Sequence, residues 1–405
     1  MGFQQGLSGL NASAKALDTI GNNIANSGTV GFKSSATLFS DVYAASLGGG
    51  GQVGIGTSVS GINQQFTQGN VTVSNNPLDL AINGQGLFRL NNNGAITWTR
   101  NGQFNIDKSG YVVNSGGFRV TGYLANASNV IVPSTPADIR INSADLQPQP
   151  TGNTGTGVSV GLNLDSRASV IAAAFLVTDP TTYNSSTSAT VYDTLGNPHL
   201  MSLYFKKTAA NTWDIYTNLD GGAASGATGL TFNSTGALTV PASGLVAQSF
   251  AVATGATTPL AFDLNLTGST QYGNIFGVTN VAQDGYTSGR LVGLSVSADG
   301  TVQGRYSNGQ TRDLAQVVLG NFNNPNGLSS LGGNQWAETA ESGQPLVGSP
   351  GSGSLGVLQS GAIEESNVDL TAELVLLITQ QRSYQANAQT IKTQDSILQT
   401  LVNLR

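Results

Sequence analysis

The two ends of this chain carry one signal, and the long stretch between them carries another. Near the start, apolar or small residues fall at Phe3, Leu7, Leu10, Ala14, Leu17, Gly21 and Ile24. Their spacing alternates four and three, the a/d repeat of a coiled-coil helix. Gly28, after Asn26-Ser27, reads as the C-terminal stop. The same alternation returns at Leu370, Leu374, Leu377, Gln381, Tyr384, Ala388, Ile391, Asp395, Leu398 and Val402, with Asp369 as N-cap and neither Gly nor Pro up to Arg405. Helices at opposite ends of a chain meet only if the chain goes out and returns. In the assembled core, Leu7, Leu10, Leu17 and Ile24 are expected to pack against Leu374, Leu377, Ile391 and Leu398. Ala14, Gly21, Gln381, Ala388 and Asp395 dilute it, so the ends are predicted to be marginal alone and to order on assembly with neighbouring subunits. Up to Phe32 only Lys15 and Asp18 carry side-chain charge. A solvated helix face is usually laced with charge. This one suits packing between subunits or the wall of a channel, against the plainer alternative of an intramolecular helical hairpin.

The middle has the period of β-structure. Leu78, Leu80 and Ile82 alternate with Asp79 and Ala81, as do Val158, Val160, Leu162 and Leu164, and Phe262, Leu264 and Leu266, with their own neighbours. Asp299-Gly300 and Asn308-Gly309 are hairpin signals. Flexible punctuation stands at residues 48–51, 148–157 and 343–356. The expected fold is a mostly β, multi-domain protein whose N- and C-terminal helices pair as a coiled-coil core.

Composition removes several function classes. A length of 405 residues suggests two or three domains. Charged residues are only 9%, against a usual value of about 25%. The net charge is −6, so no basic face grips nucleic acid. There is no Cys and one His, His199, which removes Cys nucleophiles, Cys/His zinc sites and disulfides. No apolar run reaches membrane-spanning length, so no membrane insertion is expected. The N-terminus lacks the n-, h- and cleavage regions of a secretory signal, so export would follow a route that keeps it.

Motif matches for chemistry fail on context. Gly49 to Gly54 fits G-x-G-x-x-G, but no helix can follow it, so it reads as linker. Ser159 sits in G-x-S-x-G, but β alternation runs through it, and His199, after Asn197-Pro198, is expected at a turn. Glu364 and Glu365 are adjacent, and neighbours do not face each other on a helix. Asp79, among apolar neighbours, reads as a structural, hydrogen-bonded carboxylate. No catalytic, cofactor-binding or metal-binding residue is predicted, and the chain does not read as an enzyme.

Four segments, in order, resemble the axial proteins of the bacterial flagellum, the family of rod, hook and hook-associated subunits. They are 22-NNIANSGTVGFK-33, 66-FTQGNVTVSNNPLDLAINGQGLFRL-90, 97-TWTRNGQFNIDKSGYVVNSGGFRVTGY-123 and the stretch from Gly361 to Arg405 with its Ser-Asn-Val-Asp-Leu and Gln-Arg-Ser-Tyr-Gln-Ala-Asn. Ile363 stands where the family usually has Leu. The motif residues are Asn22, Asn23, Asn26, Gly31, Phe32, Lys33, Pro77, Leu78, Asp79, Arg382 and Asn387. An extra β-rich block near residues 145–285 separates the chain from the shorter distal rod subunit. The resemblance thus implies a subunit of the extracellular hook, a curved tube that passes motor torque to the filament and encloses the export channel. Its implied partners are further copies of itself, the rod, hook cap and hook–filament junction proteins, and the flagellar type III export apparatus. It implies no cofactor. The implied layers are 1–30 with 366–405 as helical inner domain, 31–71 with 356–365 as connection, 72–145 with 286–355 as β-rich middle domain and 146–285 as outer insertion. The rival readings are a distal rod or other axial subunit, a secreted β-rich adhesin, and a hydrolase using Ser159 and His199.

Overall fold

The computed structural model describes residues 2–42, 54, 56–126, 128–153, 155 and 157–403, the last three by backbone alone. The chain divides into two compact units. One joins residues 1–142, 293–305 and 311–405; the other joins 143–292 and 306–310. The Gly-rich run at 48–51, and with it most of the G-x-G-x-x-G match, lies outside the described residues.

The first unit holds both chain ends. Helix α1 spans Gly2–Ala25 and helix α2 spans Leu370–Asn403. They run antiparallel in constant register: Gly2 lies against Gln394, Gly6 against Ile391 and Gly9 against Asn387. A helix interior disfavours glycine by roughly 1 kcal/mol relative to alanine. Here the cost has a packing reason, because a Cβ on Gly9 would stand 2.7 Å from the Asn387 side chain and one on Gly6 3.0 Å from Ile391. Strands β1 (Ser35–Val42) and β2 (Gly56–Gln64) form an antiparallel hairpin with one register shift between Leu38 and Phe39. Helix α1 packs on α2 and on this hairpin.

The going-out and returning halves then pair strand to strand. Val357–Ser360 is antiparallel to Leu80–Asn83, and Ala362–Glu364 to Val71–Val73. The body of the unit is an antiparallel sheet in which Leu87–Asn92 lies between Ala95–Thr99 and Arg119–Leu124, and Trp336 pairs with Trp98. Leu87, Trp98, Phe322 and Trp336 form a buried cluster, with Phe322 edge-on to Trp98 at 5.1 Å.

The second unit is a sandwich of two five-stranded sheets. One is an antiparallel meander of Ser185–Tyr192, Pro198–Ala209, Thr212–Leu219, Thr228–Phe232 and Leu238–Val240. In the other, Val158–Asp165 runs parallel to Leu260–Asn265 and Thr270–Tyr272 and antiparallel to Gly277–Gln283. The alternation in Val158, Val160, Leu162 and Leu164 places all four in one apolar core with Leu203, Phe205, Trp213 and Leu264 of both sheets. Two hydrogen bonds join the sheets inside it: Trp213 Nε1 donates to Gln271 Oε1 at 2.9 Å, and Thr217 Oγ1 to Gln248 Oε1 at 2.5 Å. Ser159 is a strand residue. His199 departs from its expected place: it lies within the strand Pro198–Ala209 and is buried. Two carboxylates pair its ring, which is what makes the burial tolerable.

Candidate functional site

The motif residues near the two ends meet at a polar knot in the first unit. The peptide after α1 must turn sharply toward β1. Asn26 caps the helix end by donating to the Asn22 carbonyl at 3.0 Å. Gly31 takes φ +71°, and a Cβ there would stand 2.6 Å from the Asn101 nitrogen. Asn23 is buried and pairs with both backbone groups of Ser35, donating to its carbonyl at 2.8 Å and accepting from its N–H at 2.9 Å. The second Asn23 amide hydrogen reaches Glu373 Oε1 on α2 at 2.9 Å. Asn367 makes the matching link from the other end. It accepts from the Ser34 N–H at 2.7 Å and donates to the Gln65 carbonyl at 2.7 Å.

At the centre Glu364 receives two cations. Lys33 Nζ lies 2.6 Å from Oε1 and Arg100 Nε 2.5 Å from Oε2, with side chains only 1–5% exposed. The Gly69 N–H also donates to Oε1 at 2.8 Å. Arg100 also donates to the carbonyls of Gly86, Ile82 and Gly84, and Lys33 reaches the Thr67 carbonyl at 2.6 Å. Burial is the largest influence on Lys33 and pulls its pKa below the usual value against the attraction of Glu364. Asp79 is held nearby in sequence order by Ser74 at 2.6 Å and Asn76 at 3.0 Å. Phe32 and Leu78 are buried, while Pro77 is exposed and offers its carbonyl to Ser360 Oγ at 2.8 Å. This is the geometry of a clamp. Among the described residues no set of His, Cys, Asp or Glu is placed to hold a metal ion.

The helices tell a second story. The half-buried row of α2 is Glu373, Leu377, Gln380, Ser383, Tyr384, Asn387, Ala388, Ile391 and Gln394, and within it Glu373, Asn387, Ile391 and Gln394 lie against α1. The predicted seam shares Leu377, Tyr384, Ala388 and Ile391 with it. Leu7, Leu370, Leu374 and Leu398 stand exposed, with Leu10, Leu17 and Ile24 half-buried, so intrachain packing does not bring the predicted leucine pairs together. The reason is the glycine face of α1, which allows a closer approach than its leucine face does. The Val402 side chain lies outside the described residues. Asn22 and Arg382 are exposed. No described residue of α2 is buried, and Val375 (60%), Leu376 (53%) and Ile378 (51%) extend its bare apolar surface. Glu364 and Arg100 were missed as partners. Two cations at motif positions in a chain of 9% charge were the available signal, since each needs a carboxylate.

Four family models match successive parts of the chain. They are described as flagella basal body rod protein (residues 3–33), flagellar hook protein FlgE/F/G D1 domain (81–144), flagellar basal body protein FlaE D2 domain (163–286) and flagellar basal body rod FlgEFG protein C-terminal (359–404). The chain is 44% identical to the flagellar hook protein FlgE of Escherichia coli and 45% identical to that of Salmonella typhimurium, over 100% of both chains in each case. It is 31% identical to the hook protein of Borreliella burgdorferi over 99% of this chain and 98% of that one. The crystal structure of the Helicobacter pylori flagellar hook protein FlgE2 shares the fold, with a TM-score of 0.50 at 13% identity, covering 71% of this chain and 99% of that one. On these matches and the clamp that joins its two ends, the chain belongs to the flagellar hook protein family.

Proposed function

We propose that the chain is a structural subunit of the extracellular flagellar hook, polymerising into a curved tube that transmits torque and encloses the export channel. The observation that carries this is the state of α2: a helix of 34 residues with no buried side chain among its described residues and a long apolar row facing away from its own chain. Monomeric proteins rarely expose such a surface unless a partner covers it. Further copies of the chain are that partner. In the polymer, 1–30 with 366–405 form the inner core, with Leu7, Leu10, Leu17, Ile24, Leu370, Leu374, Leu377, Tyr384, Ile391, Leu398 and Val402 in its helix packing. Residues 31–71 with 356–365 connect it to the middle domain, 72–145 with 286–355, and 146–285 form the outer layer. Export unfolded through the type III apparatus, growth from the rod under a cap, and a junction to the filament complete the reading.

The test is negative-stain electron microscopy of the purified protein at high sulfate, which strengthens apolar burial. A chain lacking residues 1–30 and 366–405 is imaged beside it. Curved tubes from the full chain alone are expected. Straight tubes would transfer the chain to the rod, and dispersed monomers from both would remove the self-assembly on which the reading depends.

A further inference from the structure

A cavity of about 220 Å³ lies between α1, β1 and α2 in the first unit, lined by Ala16, Ile20, Phe39, Leu376 and Gln380 among others, with Glu373 in its wall. Glu373 Oε1 is satisfied by Asn23, but Oε2 is buried and has no hydrogen-bond partner. No donor in the wall reaches Oε2, the Gln380 amide and the Ser35 hydroxyl included, and the other side-chain donors around it are committed elsewhere. Both Asn23 amide hydrogens are used, on Ser35 and on Oε1. Thr19 donates to the Lys15 carbonyl, Thr37 to Thr19 and Thr379 to the Val375 carbonyl. A buried carboxylate oxygen left unpaired is costly. The cavity has the volume of several waters, each occupying about 30 Å³, or of one long side chain. Its apolar walls suit the methylenes of a side chain whose cationic tip reaches Oε2.

Arg382, exposed on the same helix, has no hydrogen-bond or ion-pair partner among the described residues. It stands nine residues beyond Glu373. At about 100° per residue, nine residues place the two on opposite faces of α2. One chain therefore cannot close this pair on itself. A socket on one face and a matching knob on the other make a head-to-tail contact, and such contacts repeat into open helical polymers. Lys392 is also without a partner among the described residues, but it sits about 100° round from Glu373 and lies off that axis.

We infer that the Glu373 cavity of one copy receives Arg382 of a neighbouring copy. This pair fixes the register of the helical core beyond what the leucine rows alone specify. The inference rests on the reading of the chain as a self-assembling subunit.

The chain has no cysteine, so thiol cross-linking reports this contact without background. Glu373→Cys and Arg382→Cys copies are mixed, assembled and treated with a short bis-maleimide. The expected product is a covalent dimer from the mixed tubes, absent from unassembled protein and from tubes of either variant alone. A dimer formed equally by Glu373→Cys with Lys392→Cys would overturn the assignment, as would no dimer from mixed tubes. If the unmodified protein forms no tubes, the hook reading itself fails, which is a separate outcome. In parallel, Arg382→Gln is expected to raise the concentration needed for tube formation by at least about thirtyfold, the usual scale for breaking a desolvated ion pair. Its thermal melting as a monomer is expected to match the unmodified chain. Assembly at the unmodified concentration would refute the pair.

Discussion

His199 is the one histidine in 405 residues, and the fold sets it between two anions. Nδ1 lies 2.6 Å from Asp220 Oδ2 and Nε2 3.3 Å from Asp193 Oδ2. Both ring nitrogens face carboxylate oxygens, an arrangement that favours the doubly protonated imidazolium. Burial works against that charge, but hydrogen bonds from the ring to Asp220 and Asp193 outweigh it and hold the pKa above its usual value. The unfolded chain titrates near 6.5. The stability this pairing contributes is therefore complete below about pH 6.5 and is lost as pH rises through the folded pKa, at no more than about 1.4 kcal/mol per pH unit. Melting curves between pH 6 and 9 should show the decline, and His199→Gln should flatten it. Equal slopes for the two proteins would sink the assignment. At the Glu364 knot, Glu364→Gln should destabilise the first unit by about 3–5 kcal/mol, since it leaves two buried cations short of an anion; an unchanged denaturant midpoint would contradict that. The motif residues Asn23 and Lys33 were legible as special, but their work was not. Lys33 finds Glu364 at a separation of 331 residues, and no local pattern encodes a partner so distant.

At the scale of elements, the helices were plain in the sequence and their facing was not. A four-three alternation locates a seam, but α2 carries two overlapping rows. Its own chain takes the row from Glu373 to Gln394, leaving Leu370, Leu374 and Leu398 outward. What decided the choice was Gly2, Gly6 and Gly9 on α1, which lie off the four-three row. Gly6→Leu should separate the helices, because Gly6 is buried and even a Cβ there meets Ile391 Cγ1 at 3.0 Å. Circular dichroism of the monomer should then lose helical signal while the β contribution stays. The outward row makes the opposite prediction. Leu398→Asp should leave the monomer's spectrum and melting unchanged, since that side chain is exposed, yet abolish tubes by putting an unpaired charge into the assembled core. Leu10→Asp should likewise prevent tubes while the β units stay folded. Normal tubes from either aspartate variant would remove the leucine rows from assembly.

For the whole molecule, the out-and-return path was readable from helices at both ends, and the pairing of Val357–Ser360 with Leu80–Asn83 is its physical trace. Alternation in Val158–Asp165 announced a strand with one buried face. It did not announce that this strand runs parallel to two neighbours, because parallel pairing leaves no local turn signature. As the proposed outer layer, the sandwich bears on what a hook must do. A tube that bends while turning compresses one side on every revolution, so contacts between its outer layers must be remade continually. Polar contacts allow this, since water substitutes for a lost partner at small net cost. The edge strand Ser185–Tyr192 fits such a surface: its outward residues Ser186, Ser188 and Thr190 are exposed hydroxyls, while Ala189 and Val191 face the core. Replacing those three with leucine would lay an apolar stripe along this edge strand without touching the buried face. Each leucine buried against a neighbour contributes roughly 1.5–3 kcal/mol, enough to favour one fixed arrangement over sliding. The variant should therefore form tubes that are straighter, measured as the distribution of curvature in electron micrographs. Tubes with the unmodified distribution would show that this edge does not lie between sliding copies, and the compliance of the joint would then have to come from the connecting segments instead.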